Sequence, residues 1–297
     1  MMKQHLEAAT YPNATLPISA DGGLHLDPKI ARAFGEELSG TYCFAEPYPH
    51  IVIDNFLPLP FIEEIHSLFP TKKLADDTFY ENDFSGLHKR QVLPESCEQK
   101  IRTIFHFFNS APILQFLEGL TTIDALIGDP YFNGGGFHEI FRGGKLGVHA
   151  DFRINEQLHL SRRINMLIYL NKNWDSNFGG NLELWDRGMS SRVDSIAPLF
   201  NRCVIFNTDA DSYHGHPDPL NTPSEITRRS IALYYYTGSK KVYEDTPAHS
   251  TMYVARPGDS IQIKRKAAKL RLQNYIKDWV PPAAFRGLVK LKKIIKS

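Results

Sequence analysis

The sequence predicts a mainly β protein with flanking α-helices. Between residues 131 and 237, many short segments rich in strand-forming residues are separated by Gly, Pro and Asn, a pattern typical of a double-sheet jelly roll. Residues 46–130 instead carry one short strand pattern, followed by apolar residues at helical spacing. We therefore expect a double-stranded β-helix (jelly roll, cupin-like) core, N-terminal helices and a basic C-terminal helical tail.

Length and composition fit one medium-sized domain. Of the 297 residues, 42% are hydrophobic and 12% aromatic, which is enough for a buried core. No run approaches the roughly 20 apolar residues of a membrane span, and residues 1–23 lack the hydrophobic region of a secretory signal. The three cysteines (Cys43, Cys97, Cys203) have no C-x-x-C spacing, which argues against a zinc site and favours reduced thiols. These observations predict a cytoplasmic location.

The expected elements follow in chain order. Residues 1–45 are predicted to be a polar lead-in with partial order at best. Apolar spacing predicts a strand at 51–53 and helices at 60–69, 98–109 and 112–120. We place the main domain at 46–245, with its jelly-roll core at about 131–237, and a basic helical extension at 246–297.

Within the core, three strands are predicted with most support. Residues 141–147 are rich in Gly and predict a turn, and 148–152 then alternate as a short strand. Residues 163–170 form a second strand pattern, and 181–185 form a third after a Gly pair. Because side chains alternate between the two faces of a strand, His149 and Asp151 are expected on one face.

Two histidines and one aspartate are the candidate metal ligands. His149 and Asp151, answered by His214 further along the chain, have the composition of the facial triad that holds non-haem iron(II) with open positions. His216 is the alternative to His214. Arg229 offers the bidentate fork that grips a dicarboxylic acid, and Arg228 is its alternative, since strand alternation sends only one of the two inward.

The ordered motifs resemble those of the iron(II)/2-oxoglutarate-dependent dioxygenases, specifically the prolyl 4-hydroxylase-like branch. They are carried by residues 168–175, 179–180, 204–207, 212–217 and 229–233. The similarity covers roughly residues 130–237, and residues 47–58 resemble the usual entry to such domains.

The resemblance implies roles for individual residues. His149, Asp151 and His214 match the iron ligands, with the ligand placed before the Gly rather than at His216. Arg229 matches the residue that pairs with the distal carboxylate of 2-oxoglutarate, and Tyr169 matches a tyrosine that assists that arginine.

One position departs from the family pattern. Where several relatives have a tyrosine before the Gly-rich turn, this chain has Phe141, which donates no hydrogen bond. Asn165 is the candidate contact for the other end of the co-substrate, because alternation places it on the same face as Tyr169. A purely structural role for both Tyr169 and Asn165 is the alternative.

By resemblance, the chain is an Fe(II)- and 2-oxoglutarate-dependent dioxygenase that uses O2, with ascorbate as a further reductant. It would hydroxylate an unactivated C–H bond of a peptidyl or small-molecule substrate and release succinate and CO2. The alternative is a non-catalytic jelly-roll metal-binding or sensor protein. A buried arginine argues against that alternative, because an unpaired buried charge is costly. Nucleic acid is not an expected partner.

The C-terminal segment differs in charge from the rest. Residues 264–297 contain eleven basic residues and one acid, a net charge of +10, so the remainder of this +1 chain carries about −9. The segment is either a peripheral contact for an anionic membrane or polyanion, or a helix whose apolar residues pack on the acidic body. We expect the packed helix.

Overall fold

In the computed structural model, residues 11–19, 24–238 and 252–279 are described. They form five α-helices: α1 (Pro28–Cys43), α2 (Leu59–Ser67), α3 (Gln99–Phe108), α4 (Ala111–Thr121) and α5 (Ile261–Trp279). They also form two short 3-10 helices, Pro94–Ser96 and Ser176–Phe178. Thirteen strands complete these ranges: β1 (His50–Ile53), β2 (Thr78–Asn82), β3 (Gly86–Val92), β4 (Ile127–Gly128), β5 (Gly136–Ala150), β6 (Ile154–Asn155), β7 (Leu160–Tyr169), β8 (Leu182–Trp185), β9 (Arg192–Ile196), β10 (Cys203–Asn207), β11 (His214–His216), β12 (Arg228–Thr237) and β13 (Met252–Tyr253).

The strands form one antiparallel sheet that curves into a nearly closed barrel. Its main path is β1-β10-β7-β12-β5-β11-β8-β9, and β3 pairs with β5 beside β12. The long strand β5 connects the two halves: residues 136–140 pair with β12, and the residues around His149 pair with β11 and β13. The predicted jelly-roll fold class is confirmed.

Alternation along the strands separates two apolar clusters. On β10, Cys203 and Ile205 pack under the helices, whereas Val204 and Phe206 face the interior of the barrel. On β12, Ile231, Leu233 and Tyr235 likewise join the cluster under the helices. The opposite face of β12 therefore looks into the barrel, where a cavity opens.

Helix α1 lies inside the segment predicted as a polar lead-in, where no helix was expected. Asp27 caps its first turn by accepting hydrogen bonds from the backbone N–H groups of Lys29 and Ile30. The helix crosses α4 closely, because a Cβ on Gly35 would lie 2.2 Å from the Phe116 carbonyl and one on Gly119 would lie 2.4 Å from the Arg32 carbonyl. The prediction that residues 1–45 are partly ordered at best is therefore wrong for the residues of this segment that the structure describes.

The other predicted helices match α2, α3 and α4 closely. The prediction of a turn at residues 141–147 is wrong, because β5 runs through them from Gly136 to Ala150. Between Ile140 and Lys145, β5 advances five residues while its partner β3 advances two, from Lys89 to Leu87. The glycines therefore accommodate an irregularity within the strand rather than a reversal.

The described part of the C-terminal extension includes α5. Ala267 is buried, and Leu270 borders a cavity that Tyr213 and Tyr253 also line, while Leu272 is exposed. Within the described ranges, no helix combines the length and apolar character needed to cross a membrane. Residues 280–297 lie outside the described residues, so the role predicted for the whole tail stays a prediction.

Candidate metal centre and its cavity

His149, Asp151 and His214 converge at one end of the barrel cavity. His149 is the penultimate residue of β5 and lies directly opposite His214 of β11 in the strand register, and Asp151 follows β5 immediately. One ligand atom from each of the three side chains lies within 4.8 Å of the others. The two imidazole Nε2 atoms lie 3.6 and 3.5 Å from the Asp151 carboxylate. The structure thus brings together the three residues that the sequence singled out.

Backbone contacts fix both imidazoles. The Nδ1 atom of His149 lies 2.8 Å from the Gly147 carbonyl, and that of His214 lies 2.9 Å from the Ser212 carbonyl. A carbonyl only accepts, so each Nδ1 carries a proton, and the Nε2 atom of each ring is directed to the shared space. Burial, followed by the nearby His149, lowers the pKa of His214 to about 4. His214 is therefore neutral at pH 7, as a metal ligand must be.

Two side chains of β7 hold the Asp151 carboxylate. Its Oδ2 accepts hydrogen bonds from Arg162 Nη2 at 2.9 Å and from the Asn165 amide at 2.7 Å. Burial raises the pKa of Asp151, but the Arg162 guanidinium and the two histidines more than offset this and hold it well below its usual range. The carboxylate is ionised and oriented. Asn165, predicted as a co-substrate contact, thus contacts a candidate metal ligand and also lines the cavity.

Arg228, rather than Arg229, lies at the cavity. Arg228 is 4% exposed. Its Nε donates to the Gly180 carbonyl at 2.7 Å, and its Nη2 lies 3.2 Å from the Tyr169 hydroxyl. Among the described residues it has no carboxylate partner. Tyr169 is buried beside Arg228 and supports it, whereas the family resemblance implies a tyrosine that assists Arg229.

Arg229 points to the opposite face of β12. Its Nε donates to Glu139 Oε1 at 3.1 Å and to the Thr227 hydroxyl at 2.9 Å, and its guanidinium stacks over Phe69 beneath the helices. Arg229, predicted as the co-substrate arginine, therefore lies outside the cavity, and its alternative Arg228 lies inside it, because alternation places the two on opposite faces. Phe141 is also outside the cavity and partly exposed.

His216, the alternative metal ligand, lines the same cavity but does not belong to the His149–Asp151–His214 cluster. It is buried, and neither ring nitrogen has a hydrogen-bond partner among the described residues. Burial, together with Arg228 and Lys89, lowers its pKa well below the usual value. It is thus a neutral polar group facing the cavity.

Three further cavity residues, Lys89, His138 and Arg162, were not named individually as site residues from the sequence. The register of β12 against β7 shifts between Tyr235 and Tyr236, which skips Arg163 and places Arg162 on the same side as Asn165. That bulge has no sequence signal. Strand alternation within β3 and β5 could have grouped Lys89 and His138 with an inner face, but nothing local showed which face was the inner one.

The whole cavity encloses about 240 Å³. Its charged groups among the described residues are one acid, Asp151, and three bases: Lys89, Arg162 and Arg228. Since Arg162 is bonded to Asp151, the other two cations are left without a carboxylate. Such a site suits a metal ion at one end and an anionic ligand beside it.

Comparison with known proteins identifies similar chains. Residues 135–236 match the model of the 2OG-Fe(II) oxygenase superfamily. The mouse prolyl 3-hydroxylase OGFOD1 is 27% identical over 198 residues, covering 64% of this chain and 33% of the relative. Mouse prolyl hydroxylase EGLN3 is 32% identical over 81 residues, covering 27% of this chain and 31% of the relative.

A prolyl 4-hydroxylase structure from Pseudomonas putida aligns with a TM-score of 0.48 and 15% identity, covering 70% of this chain and all of that one. The chain spans about a third of the length of the curated relatives that it matches.

Proposed function

We propose that this chain, which belongs through residues 135–236 to the 2-oxoglutarate/iron(II) oxygenase superfamily, is an Fe(II)- and 2-oxoglutarate-dependent dioxygenase. It would use O2 to hydroxylate an unactivated C–H bond and release succinate and CO2. The observation that carries the proposal is the combination of a His149–Asp151–His214 cluster with an unpaired buried Arg228 in one cavity. A structural metal site alone gives no reason to bury that guanidinium.

The side chains present fit Fe(II). Two imidazoles with Nε2 directed inward and one ionised carboxylate are the donor set of a facial triad, which leaves positions open for other ligands. When bound there, iron supplies the oxidative chemistry, with 2-oxoglutarate as the source of two of the electrons and ascorbate as an auxiliary reductant. Arg162 and Asn165 keep Asp151 oriented and ionised.

The arginine at the cavity floor would bind the co-substrate. Arg228 is held by the Gly180 carbonyl and the Tyr169 hydroxyl, which leaves other guanidinium N–H groups free for the distal carboxylate of 2-oxoglutarate. Burial makes such a charged hydrogen bond stronger than it is in water. His216 and Ser230 line the same cavity and supply polar contacts around the rest of the molecule.

The relatives are named as prolyl hydroxylases, so a prolyl unit, peptidyl or free, is the substrate class to test first. We also propose the domain limits 46–245 and 246–297, with residues 1–45 preceding them. Three unpaired cysteines support a cytoplasmic location. Residues 264–297 are proposed to pack on the body, with an anionic membrane or polyanion as the competing partner.

The metal assignment is tested by single alanine substitutions at His149, Asp151 and His214. Each should abolish Fe(II)-dependent formation of succinate and weaken Mn(II) binding measured by calorimetry, while circular dichroism stays unchanged. His216→Ala is the matched control, because His216 is an equally buried imidazole outside the cluster, and it should retain Mn(II) binding. Full activity in the His214 variant together with loss in the His216 variant would exchange their roles.

A further inference from the structure

The proposed binding of iron and 2-oxoglutarate assigns no role to Lys89, which lines the cavity. Lys89 lies on β3, and its ammonium is 5.0 Å from the centroid of the Tyr80 ring. It makes no ion pair with any described residue, whereas Lys145, further along the neighbouring strand, pairs with Asp83. Burial is the main cause that lowers the pKa of Lys89 to about 8, and it therefore stays mostly protonated at pH 7. The charge of Asp151 favours this ammonium, but no described carboxylate pairs with it directly, and an ammonium left so in a cavity is costly unless a ligand pairs with it.

Lys89 and Arg228 lie in one row across three strands. Ile140 of β5 is the register partner of Arg228 on one side and of Lys89 on the other, and all three line the cavity. Adjacent strands are about 4.8 Å apart, so the two cationic positions are separated by about 10 Å of backbone. This spacing of the backbone allows each cation to contact a different anionic group.

The two cations also differ in depth. Arg228 is held at the buried floor by the Gly180 carbonyl and by Tyr169, which is fully buried. Lys89 is only partly buried, and the ring beneath it belongs to Tyr80, which is 36% exposed on the β2–β3 hairpin. Lys89 therefore lies nearer to solvent than Arg228 does.

The net charge of the cavity also favours a second anionic ligand. With neutral histidines, the described lining residues carry a net charge of +2, from three bases and Asp151. A divalent metal ion and a dicarboxylate co-substrate cancel each other, so the loaded cavity keeps that excess. A single ammonium without a cluster of backbone N–H donors suits a monoanion better than a phosphate, which needs several donors.

We infer that Lys89 binds a carboxylate of the primary substrate, which makes the substrate class a carboxylate-bearing molecule. This inference rests on the proposed function, because it assigns the floor of the cavity to 2-oxoglutarate. The carboxylate comes either from a free acid or from an acidic residue within a peptide, and the two sources are separated by the probes.

The experiment measures binding by calorimetry to full-length protein loaded with Mn(II) and 2-oxoglutarate. N-acetyl-L-proline against its amide probes the free acid, and acetyl-Pro-Glu-amide against acetyl-Pro-Gln-amide probes the peptide. At least one acid should bind ten-fold or more tightly than its neutral partner, as expected for a charged hydrogen bond. Lys89→Met and Lys89→Gln should abolish that preference while the dissociation constant of 2-oxoglutarate changes less than two-fold.

Lys73→Met is the matched control. Lys73 also places its ammonium 5.0 Å from an aromatic ring of the same hairpin, Phe79, but neither residue lines the cavity. This variant should behave as the wild type. The inference is wrong if no acid exceeds its amide in the wild type, if the preference survives in both Lys89 variants, or if these variants weaken 2-oxoglutarate binding as much as Arg228→Met does. Failure of the proposed function is distinct, because the wild type would then not bind 2-oxoglutarate with Mn(II).

Discussion

Exchanging Arg228 for lysine should weaken 2-oxoglutarate binding strongly. The guanidinium is immobilised by a 2.7 Å hydrogen bond from Nε to the Gly180 carbonyl and by the Tyr169 hydroxyl 3.2 Å from Nη2, so its remaining N–H groups are already oriented. Lysine has a single nitrogen and cannot keep these contacts and grip a carboxylate as a fork. Loss of one charged hydrogen bond is worth about 1.5–3 kcal/mol, which corresponds to a roughly 10- to 150-fold rise in the dissociation constant.

Titration calorimetry of the Mn(II)-loaded protein measures this rise, and thermal unfolding checks that the variant is folded. Arg229→Lys is the matched control: it alters the contacts to Glu139 and Thr227, so it should lower the melting temperature with less than a two-fold effect on 2-oxoglutarate. Tyr169→Phe removes only the hydroxyl that supports Arg228 and should cost about 0.5–1.5 kcal/mol of binding. Normal affinity in Arg228→Lys with weak binding in Arg229→Lys would refute the assignment of the two faces.

Three further predictions concern the helix crossing, the metal site and the pH dependence. Gly119→Ala should lower the free energy of unfolding measured in urea by about 1–3 kcal/mol, since the new Cβ would collide with the Arg32 carbonyl. In the control Gly40→Ala, the new Cβ meets no atom within 4 Å, so this variant should be as stable as the wild type or more stable. Equal effects of the two substitutions would contradict this. Arg162→Met should weaken Mn(II) binding about 10- to 100-fold, as loss of a group that orients a metal ligand does, and unchanged affinity would contradict the role assigned to it. Burial, followed by Lys89, lowers the pKa of His138 well below its usual value, so on acidification the unfolded chain binds a proton before the folded protein does. The melting temperature of the metal-free protein should therefore fall as the pH drops from about 7 towards 5, and each such histidine costs up to about 1.4 kcal/mol of stability per pH unit. His138→Gln should flatten this pH dependence.

The sequence was sufficient for the family and the jelly roll, and both predictions are confirmed. Period-two alternation was enough to place His149 and Asp151 on one side, because His149 lies in the regular end of β5 and Asp151 follows the strand immediately. The convergence of His214 on them came from the ordered motifs, and the register of β11 against β5 accounts for it physically. The roles of these residues as iron ligands stay proposals.

The choice between the two arginines could not be made from alternation alone. A strand pattern shows that neighbours face opposite sides, but both sides of β12 are covered, one by the helices and one by the barrel interior. An arginine is stable on either side when it finds partners, as Arg229 does with Glu139 and Phe69. Which face of β12 packs under the helices decides which arginine reaches the cavity. The helices include α1, which the sequence did not predict.

The place of Lys89 in the cavity could not be predicted from the sequence for a different reason. Lys89 is more than fifty residues before the motifs and belongs to a hairpin that carries none of them. It meets Arg228 only because β3 and β12 both pair with β5 at Ile140, upstream of the irregular residues between Ile140 and Lys145. A one-residue slip in the pairing of β3 would turn Lys89 outward and bring a neighbouring side chain to the cavity. The pairing of β3 with β5, rather than a local sequence pattern, thus places the charge of Lys89 in the cavity. The preference proposed for a carboxylate-bearing substrate depends on this register.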